Sequence, residues 1–229
     1  MATGSLYIVA TPIGNLEDIT FRAVRALKEV DLIFCEDTRT TKKLLDHYKV
    51  VAETRSFYKS GKRGDRKPEP NFDYVLDELK NGKNIAFVTD AGTPGISDPG
   101  NRLVSKIVEN GIAVISIPGA SALTTLASIS GIDLTKFVFL GFPPHKKGRE
   151  TFFKEIAVLK YPVIYYESPH RLVKNLELLS NLAPKKNIIL GRELTKMFEE
   201  VVRGTAGEVL DYFKDNKEKV RGEFAIIVY

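Results

Sequence analysis

The chain has 229 residues, 43% of them hydrophobic, with a formal net charge of +5 and an isoelectric point near 9.1. It is too apolar for a disordered chain and long enough for one sizeable core or two modest domains, and its excess of basic residues points to a polyanionic partner. A single cysteine, Cys35, excludes an internal disulfide framework. The N-terminus lacks a signal-peptide pattern and no apolar run approaches the roughly 18 residues that cross a bilayer, so a soluble cytoplasmic protein is expected.

In chain order, Leu6–Ala10 is expected as a buried strand, followed by a loop to Thr20, which is placed to N-cap a helix over Phe21–Leu27. Asp31–Cys35 reads as a strand and Thr38–Tyr48 as a helix. Glu53–Pro70 is basic and aperiodic, which predicts a mobile surface loop. A helix Phe72–Asn81, a strand Ile85–Val88, a helix Arg102–Glu109 and a strand Ile112–Ile117 complete a doubly wound α/β domain over residues 1–117. A second α/β domain, 118–229, opens with a helix Ala120–Ser130. In it, strands Phe137–Phe142, Val163–Tyr166, Ile188–Leu190 and Phe224–Tyr229 alternate with helices Thr151–Leu159, Arg171–Leu182 and Gly207–Asn216.

Between the strand Ile85–Val88 and the next helix lies VTDAGTPGISDPG, Val88 to Gly100. Glycines there permit positive φ and remove Cβ bulk, prolines fix φ, and Asp90 and Asp98 bracket a surface where backbone can meet a small molecule. Ordinary strand-to-helix loops run roughly two to six residues. Thr11–Thr20 and Pro118–Ala122 repeat the construction after two further apolar strands. In an open α/β sheet such loops gather at the carboxyl ends of the strands, where ligands bind, so the three are expected to form one site.

No G-x-x-x-x-G-K-[ST] is present, and the first loop is not G-x-G-x-x-G. The three loops carry no Lys or Arg, which suits a neutral or cationic ligand, such as a sulfonium, better than a pyrophosphate. His47, His145 and His170 are scattered and Cys35 stands alone, so no metal is expected.

Seven segments taken together carry a resemblance: Leu6–Thr20, Glu36–Arg39 (EDTR), Asp90–Gly100, Pro118–Ala122 (PGASA), Gly141–Pro144 (GFPP), Glu167–Arg171 (ESPHR) and Gly191–Lys196 (GRELTK). In that order they resemble the ribosomal RNA small subunit methyltransferase I group of the tetrapyrrole methylase superfamily. The resemblance implies two α/β domains with S-adenosylmethionine in a cleft between them, a homodimer, and methylation of a cytidine ribose 2′-oxygen in the decoding region of 16S rRNA, as naked RNA or in the 30S subunit. Carried over, its cofactor contacts fall at Ile13, Gly92, Thr93, Ile96, Ser121, Ala122, Tyr166, Pro169 and Gly222. The tetrapyrrole-modifying branch commonly shows a glycine-rich first loop with an acidic residue and a G-D-P in the second. Pro12-Ile13-Gly14-Asn15 and Gly92-Thr93-Pro94 stand here instead, which favours RNA over a porphyrinoid.

Methyl transfer to a ribose hydroxyl needs alignment and gains from a base. Glu36 and Asp37, at the end of a strand, and Lys196 with Glu193 and Glu199, in the second domain, are the catalytic candidates. Asp37 and Thr38 are equally good helix caps. Arg39 is a candidate for a phosphate or for the donor's carboxylate. His145, Lys146, Lys147 and Arg149 follow Phe142-Pro143-Pro144, and His170 and Arg171 follow Pro169. With the basic Lys59–Lys67 segment beside Phe57 and Tyr58, they pair cations with stacking surface, as single-stranded RNA binders do. A tetrapyrrole or other small-molecule methylase would keep the donor loops without needing the basic segments. A non-catalytic RNA-binding assembly protein would keep the basic segments without needing the loops.

Overall fold

Short strands with near-continuous apolar runs build a parallel sheet in the first half of the chain. The computed structural model describes residues 3–58, 70–98 and 100–229, and the chain divides into two units, Met1–Ser121 and Ala122–Tyr229. In the first unit β1 (Leu6–Val9), β2 (Leu32–Cys35), β3 (Thr54–Ser56), β4 (Ile85–Val88) and β5 (Val114–Ile117) lie in the order β3-β2-β4-β1-β5, every neighbouring pair parallel. β2 and β4 are buried at every position, as parallel strands covered on both faces require.

The helices of this unit are α1 (Phe21–Glu29), α2 (Thr38–His47), α3 (Phe72–Lys80) and α4 (Gly100–Glu109). Thr20 caps α1 by accepting from the Ala23 amide at 3.0 Å. One core cluster holds Phe34, Phe57, Phe87, Leu79 and Leu103, and another holds Val9, Leu27, Ile33 and Val88.

Two expectations for this half need correction. The aperiodic stretch from Glu53 contains strand β3, and Phe57 behind it is fully buried, packed edge-on against Phe87 at 4.9 Å. Residues 59–69 of that stretch, with Lys59–Lys67, lie outside the described residues. Ile112–Ile117 contributes only Val114–Ile117 as strand, because β5 is an outer strand with Ile115 and Ser116 exposed.

In the second unit α5 (Ala122–Ser128), α6 (Arg149–Val158), α7 (Leu172–Leu182) and α8 (Ala206–Asp215) accompany a sheet of β6 (Val138–Phe139), β7 (Val163–Glu167), β8 (Asn187–Arg192), β9 (Glu200–Thr205) and β10 (Phe224–Val228). The order is β6-β7-β10-β8-β9, with β6 parallel to β7 and the remaining pairs antiparallel. Its core gathers Phe153, Tyr165, Leu176, Val209, Phe213 and Ile226. Phe137–Phe142 forms only the two-residue β6, and β9 was not expected: it runs along the sheet edge, half-buried through most of its length, and so has no apolar run.

Candidate active site

β4, β1 and β5 are neighbours, so the loops after them emerge side by side at the carboxyl edge of the first sheet. Backbone and side chain tie them together. Thr11 and Gly92 exchange two backbone hydrogen bonds, of 3.0 and 3.1 Å, joining the first loop to the second. The Thr93 hydroxyl donates to the Ala120 carbonyl at 3.0 Å, joining the second to the third. Gly92 sits at φ +83°, and a Cβ there would stand 3.4 Å from the Ile13 side chain and 3.8 Å from the Ala120 oxygen. A glycine thus holds the point where all three loops meet. The Asp98 carboxylate braces the second loop, accepting from the Gly95 and Gly100 amides at 2.7 Å each.

Beside these loops, carboxylates gather at the ends of β2 and β4. The Asp90 amide donates to Glu36 Oε2 at 3.3 Å, and Asp90 Oδ1 accepts from the Asp37 amide at 3.1 Å. Burial pushes the Glu36 carboxyl above the usual carboxylate range, with the Asp90 and Asp98 charges adding to the shift. Asp90 is raised as well, chiefly by burial. Asp37 behaves oppositely. Its carboxylate caps α2 by accepting from the Arg39 amide at 2.8 Å and pairs with the Arg39 guanidinium at 2.6 Å. The hydrogen bond from the Arg39 side chain is the main reason its pKa falls to about 2. Two adjacent acids therefore part: Asp37 is a helix cap, and Glu36 is a carboxylate ready to hold a proton. Arg39 is otherwise exposed.

The candidates of the second unit also share one sheet edge, because Phe224 at the start of β10 pairs with Glu167 at the end of β7 and Arg192 at the end of β8. The Tyr166 hydroxyl accepts from the Leu123 amide at 3.1 Å, and its ring meets Phe139 and Phe142 with centroids 5.1 and 5.4 Å apart. Pro169 lies in the turn between β7 and α7. His145, Lys146, Lys147 and His170 are exposed, and Arg149, half-buried, opens α6.

Arg171 is tied inward. It donates to the Pro143 carbonyl at 2.8 Å and to Ser168 Oγ at 3.0 Å, and it lies 3.4 Å from the buried Glu167 carboxylate. Lys196 is held by Glu193 and Glu223, each at 2.9 Å. Burial alone would lower its pKa, but the hydrogen bonds to those two carboxylates outweigh it and raise the pKa, so the ammonium stays charged. Gly222, at φ +86°, leaves the room Glu193 occupies, since a Cβ there would stand 2.3 Å from Glu193 Oε1.

The structure thus brings Ile13, Gly92 and Thr93 together at the first sheet's edge with Glu36 beside their loops, and gathers Tyr166, Pro169, Gly222 and the basic residues at the second's. Ile96 lies exposed in the second loop, while Ser121 is buried and, with Ala122, stands where α5 begins. Sequence reasoning missed the bracing by Asp98, the Thr93–Ala120 tie and the inward role of Arg171. Only the Asp-x-Gly spacing of Asp98 and Gly100 offered a signal. Among the described residues, no group of three or more His, Cys, Asp or Glu is placed to hold a metal.

A parallel sheet with three tied glycine- and proline-containing loops, joined in chain order to a mixed sheet, is the architecture of a class of methylases. The model of the tetrapyrrole (corrin/porphyrin) methylases matches residues 5–210. The fold is similar to that of a cobalt precorrin-4 methyltransferase (TM-score 0.68, 18% identity, 98% of this chain and 94% of that one). It is also similar to that of a uroporphyrin-III C-methyltransferase from Thermus thermophilus complexed with S-adenosyl homocysteine (TM-score 0.64, 19% identity, 98% and 97%). In sequence the chain is 45% identical over 226 residues to the ribosomal RNA small subunit methyltransferase I of Halalkalibacterium halodurans, covering 98% of this chain and 75% of that protein. It is 40% identical over 225 residues to that of Thermotoga maritima, covering 98% of each. The chain belongs to the tetrapyrrole methylase family and, within it, to the ribosomal RNA small subunit methyltransferase I group.

Proposed function

We propose that this protein transfers the methyl group of S-adenosylmethionine to the ribose 2′-oxygen of a cytidine in the decoding region of 16S rRNA, in the cytoplasm and as a homodimer. Methylation of small-subunit ribosomal RNA is the activity named for its 40–45% identical relatives. The observation that carries the chemistry is the position of Glu36, a carboxylate raised by burial at a strand end beside the tied loops.

S-adenosylmethionine fits the loop edge. The loops contain no Lys or Arg to repel a sulfonium, Ile13 and Ile96 supply apolar contact, and the bare Gly92 leaves space that a side chain would fill. Ile13, Gly92, Thr93, Ile96, Ser121 and Ala122 would hold the donor. When bound, it supplies an electrophilic methyl group. The Glu36 carboxylate takes the proton of the attacking ribose hydroxyl, a contribution of roughly 10²- to 10⁴-fold for a well-placed base. The Asp90 amide fixes Glu36 Oε2, and Asp37, locked to Arg39, keeps α2 in place. Lys196 does not serve as the base, because two carboxylates keep it protonated. His145, Lys146, Lys147, Arg149 and His170 contact RNA phosphates, and Arg39 a phosphate or the donor's carboxylate.

The test is transfer of labelled methyl from S-adenosylmethionine to purified 30S subunits and to naked 16S rRNA, with the modified nucleotide mapped. Label on a cytidine ribose supports the reading, and label on a base or no transfer to either substrate overturns it. Sedimentation velocity decides the dimer. In α5, Leu126 is buried against Gly191 and Leu194 of its own unit, whereas Ile129 beyond its end is exposed.

A further inference from the structure

The loop between β8 and β9 is built the reverse of an ordinary surface hairpin. Its lysine, Lys196, is tied down by Glu193 and Glu223, while Met197 is 91% and Phe198 57% exposed. The loop is held firmly in this shape. Glu193 and Thr195 take φ of +50° and +67°, conformations non-glycine residues adopt only when their surroundings impose them. The Lys196 amide donates to the Glu193 carbonyl and the Glu199 amide to the Lys196 carbonyl, each at 3.0 Å, and the Glu199 carboxylate accepts from the Thr195 amide. Beneath them the buried Arg192 donates to the Phe198 carbonyl and to the Arg221 carbonyl, both at 3.2 Å. That shared anchor brings the Arg221 guanidinium to 5.7 Å from the centre of the Phe198 ring.

An exposed ring with a guanidinium beside it offers a flat, polarisable surface. The charge nearest this ring is the Arg221 guanidinium, while the Glu223 carboxylate is spent on Lys196, and a group that uses both the ring and the guanidinium face is itself planar. On an RNA substrate that group is a nucleobase, and stacking on aromatic and guanidinium planes is how unpaired bases are held. The loop leaves the end of β8 at the same sheet edge as His170, so phosphate contacts and a base contact can serve one strand.

Resting on the RNA reading above, we infer that Phe198, with Arg221, is a stacking platform for an unpaired base of the substrate RNA.

The probe is a single-stranded RNA oligonucleotide carrying one 2-aminopurine, titrated onto the full chain with S-adenosyl homocysteine present. Phe198→Ala is expected to weaken binding by about 5- to 150-fold, the range of one base–aromatic stack, and to remove the fluorescence quenching. Phe198→Trp is expected to keep both. Melting temperature and affinity for S-adenosyl homocysteine stay unchanged in each variant, because the ring is solvent-facing. Wild-type RNA affinity in Phe198→Ala overturns the proposal. So does an equal loss for an abasic oligonucleotide, or a change in sedimentation coefficient in place of a change in RNA binding, which would assign the surface to a second copy. Methyl transfer separates the two readings. If the wild type methylates 30S subunits and Phe198→Ala matches it, the platform alone fails; if the wild type modifies no RNA, the reading beneath it fails.

Discussion

Glu36 and Asp90 meet across the ends of two neighbouring strands, the Asp90 amide donating to the Glu36 carboxylate at 3.3 Å. Both carboxyls are raised by burial, whereas Asp37, next in the chain to Glu36, is lowered to about 2 by Arg39. The relationship sets the pH behaviour expected of a base at this edge. Glu36 accepts a proton only when ionised, so kcat/KM falls as pH drops through its raised pKa, above the ordinary glutamate range. Glu36→Gln is expected to reduce kcat by about 10²- to 10⁴-fold and abolish that acid limb, with donor affinity kept. Asp37→Asn leaves the limb in place. Stability runs the other way for the two groups. A raised Glu36 favours the folded state at low pH and loses that contribution as pH rises through its folded pKa. Asp37 stabilises above its unfolded pKa and loses the contribution as pH falls toward 2. A pH–rate profile of Glu36→Gln with an unshifted acid limb would sink the assignment.

Gly92 is the meeting point of the three loops. At φ +83° a β-branched side chain is strained, and with the Cβ already in van der Waals contact with Ile13 at 3.4 Å its methyl groups enter the space between the loops. Gly92→Val is expected to abolish detectable binding of S-adenosylmethionine by calorimetry and to cost about 1–2 kcal/mol of stability from the left-handed backbone alone. Gly92→Ala keeps the strain with less bulk and retains partial affinity. Wild-type titrations for both would move the donor elsewhere.

The cations at the second sheet's edge are expected to act through charge. Reversal at Lys146, Lys147 and Arg149 together should weaken RNA binding and leave donor affinity unchanged. Each lost phosphate contact flattens the log–log salt dependence by about 0.7 for single-stranded RNA. Affinities measured across a salt series give the slope directly, and an unaltered slope in the triple variant would reduce these residues to a solvated face.

Strands buried at every position announced themselves in the sequence. Ile85–Val88 was legible to the residue because four consecutive apolar side chains are all buried. β9 was not, because an edge strand half-exposed along its length lacks both the apolar run and a clean alternation. The meeting of three loops at one sheet edge was legible because glycine and proline recur after three strands. Which acid is raised and which is locked as a cap was not, since Glu36 and Asp37 differ only in what the fold sets beside them: the end of β4 for one, its own helix and Arg39 for the other. Arg171 looked like a substrate cation for the same reason. Its charge is visible in the sequence, but the burial of Glu167 and the approach of the Pro143 carbonyl from another loop are not.

Arg171 is therefore expected to behave as a structural residue. Its side chain is 13% exposed and joins the Pro143 carbonyl, Ser168 and the Glu167 carboxylate, whose side chain is fully buried. Arg171→Ala leaves that carboxylate without its cation, and breaking a buried pair on one side costs about 3–5 kcal/mol. Asn175 and the Ser168 amide still donate to Glu167, which places the expected loss near the lower figure. Because the same guanidinium pins the segment preceding His145, the basic residues that follow should lose their fixed geometry as well. Chemical denaturation of Arg171→Ala is expected to show a lower midpoint with an unchanged m-value, and Arg171→Lys to recover little, since one ammonium cannot bridge three acceptors in a plane. An Arg171→Ala variant with wild-type stability and selectively weakened RNA binding would return this residue to the substrate-contacting set.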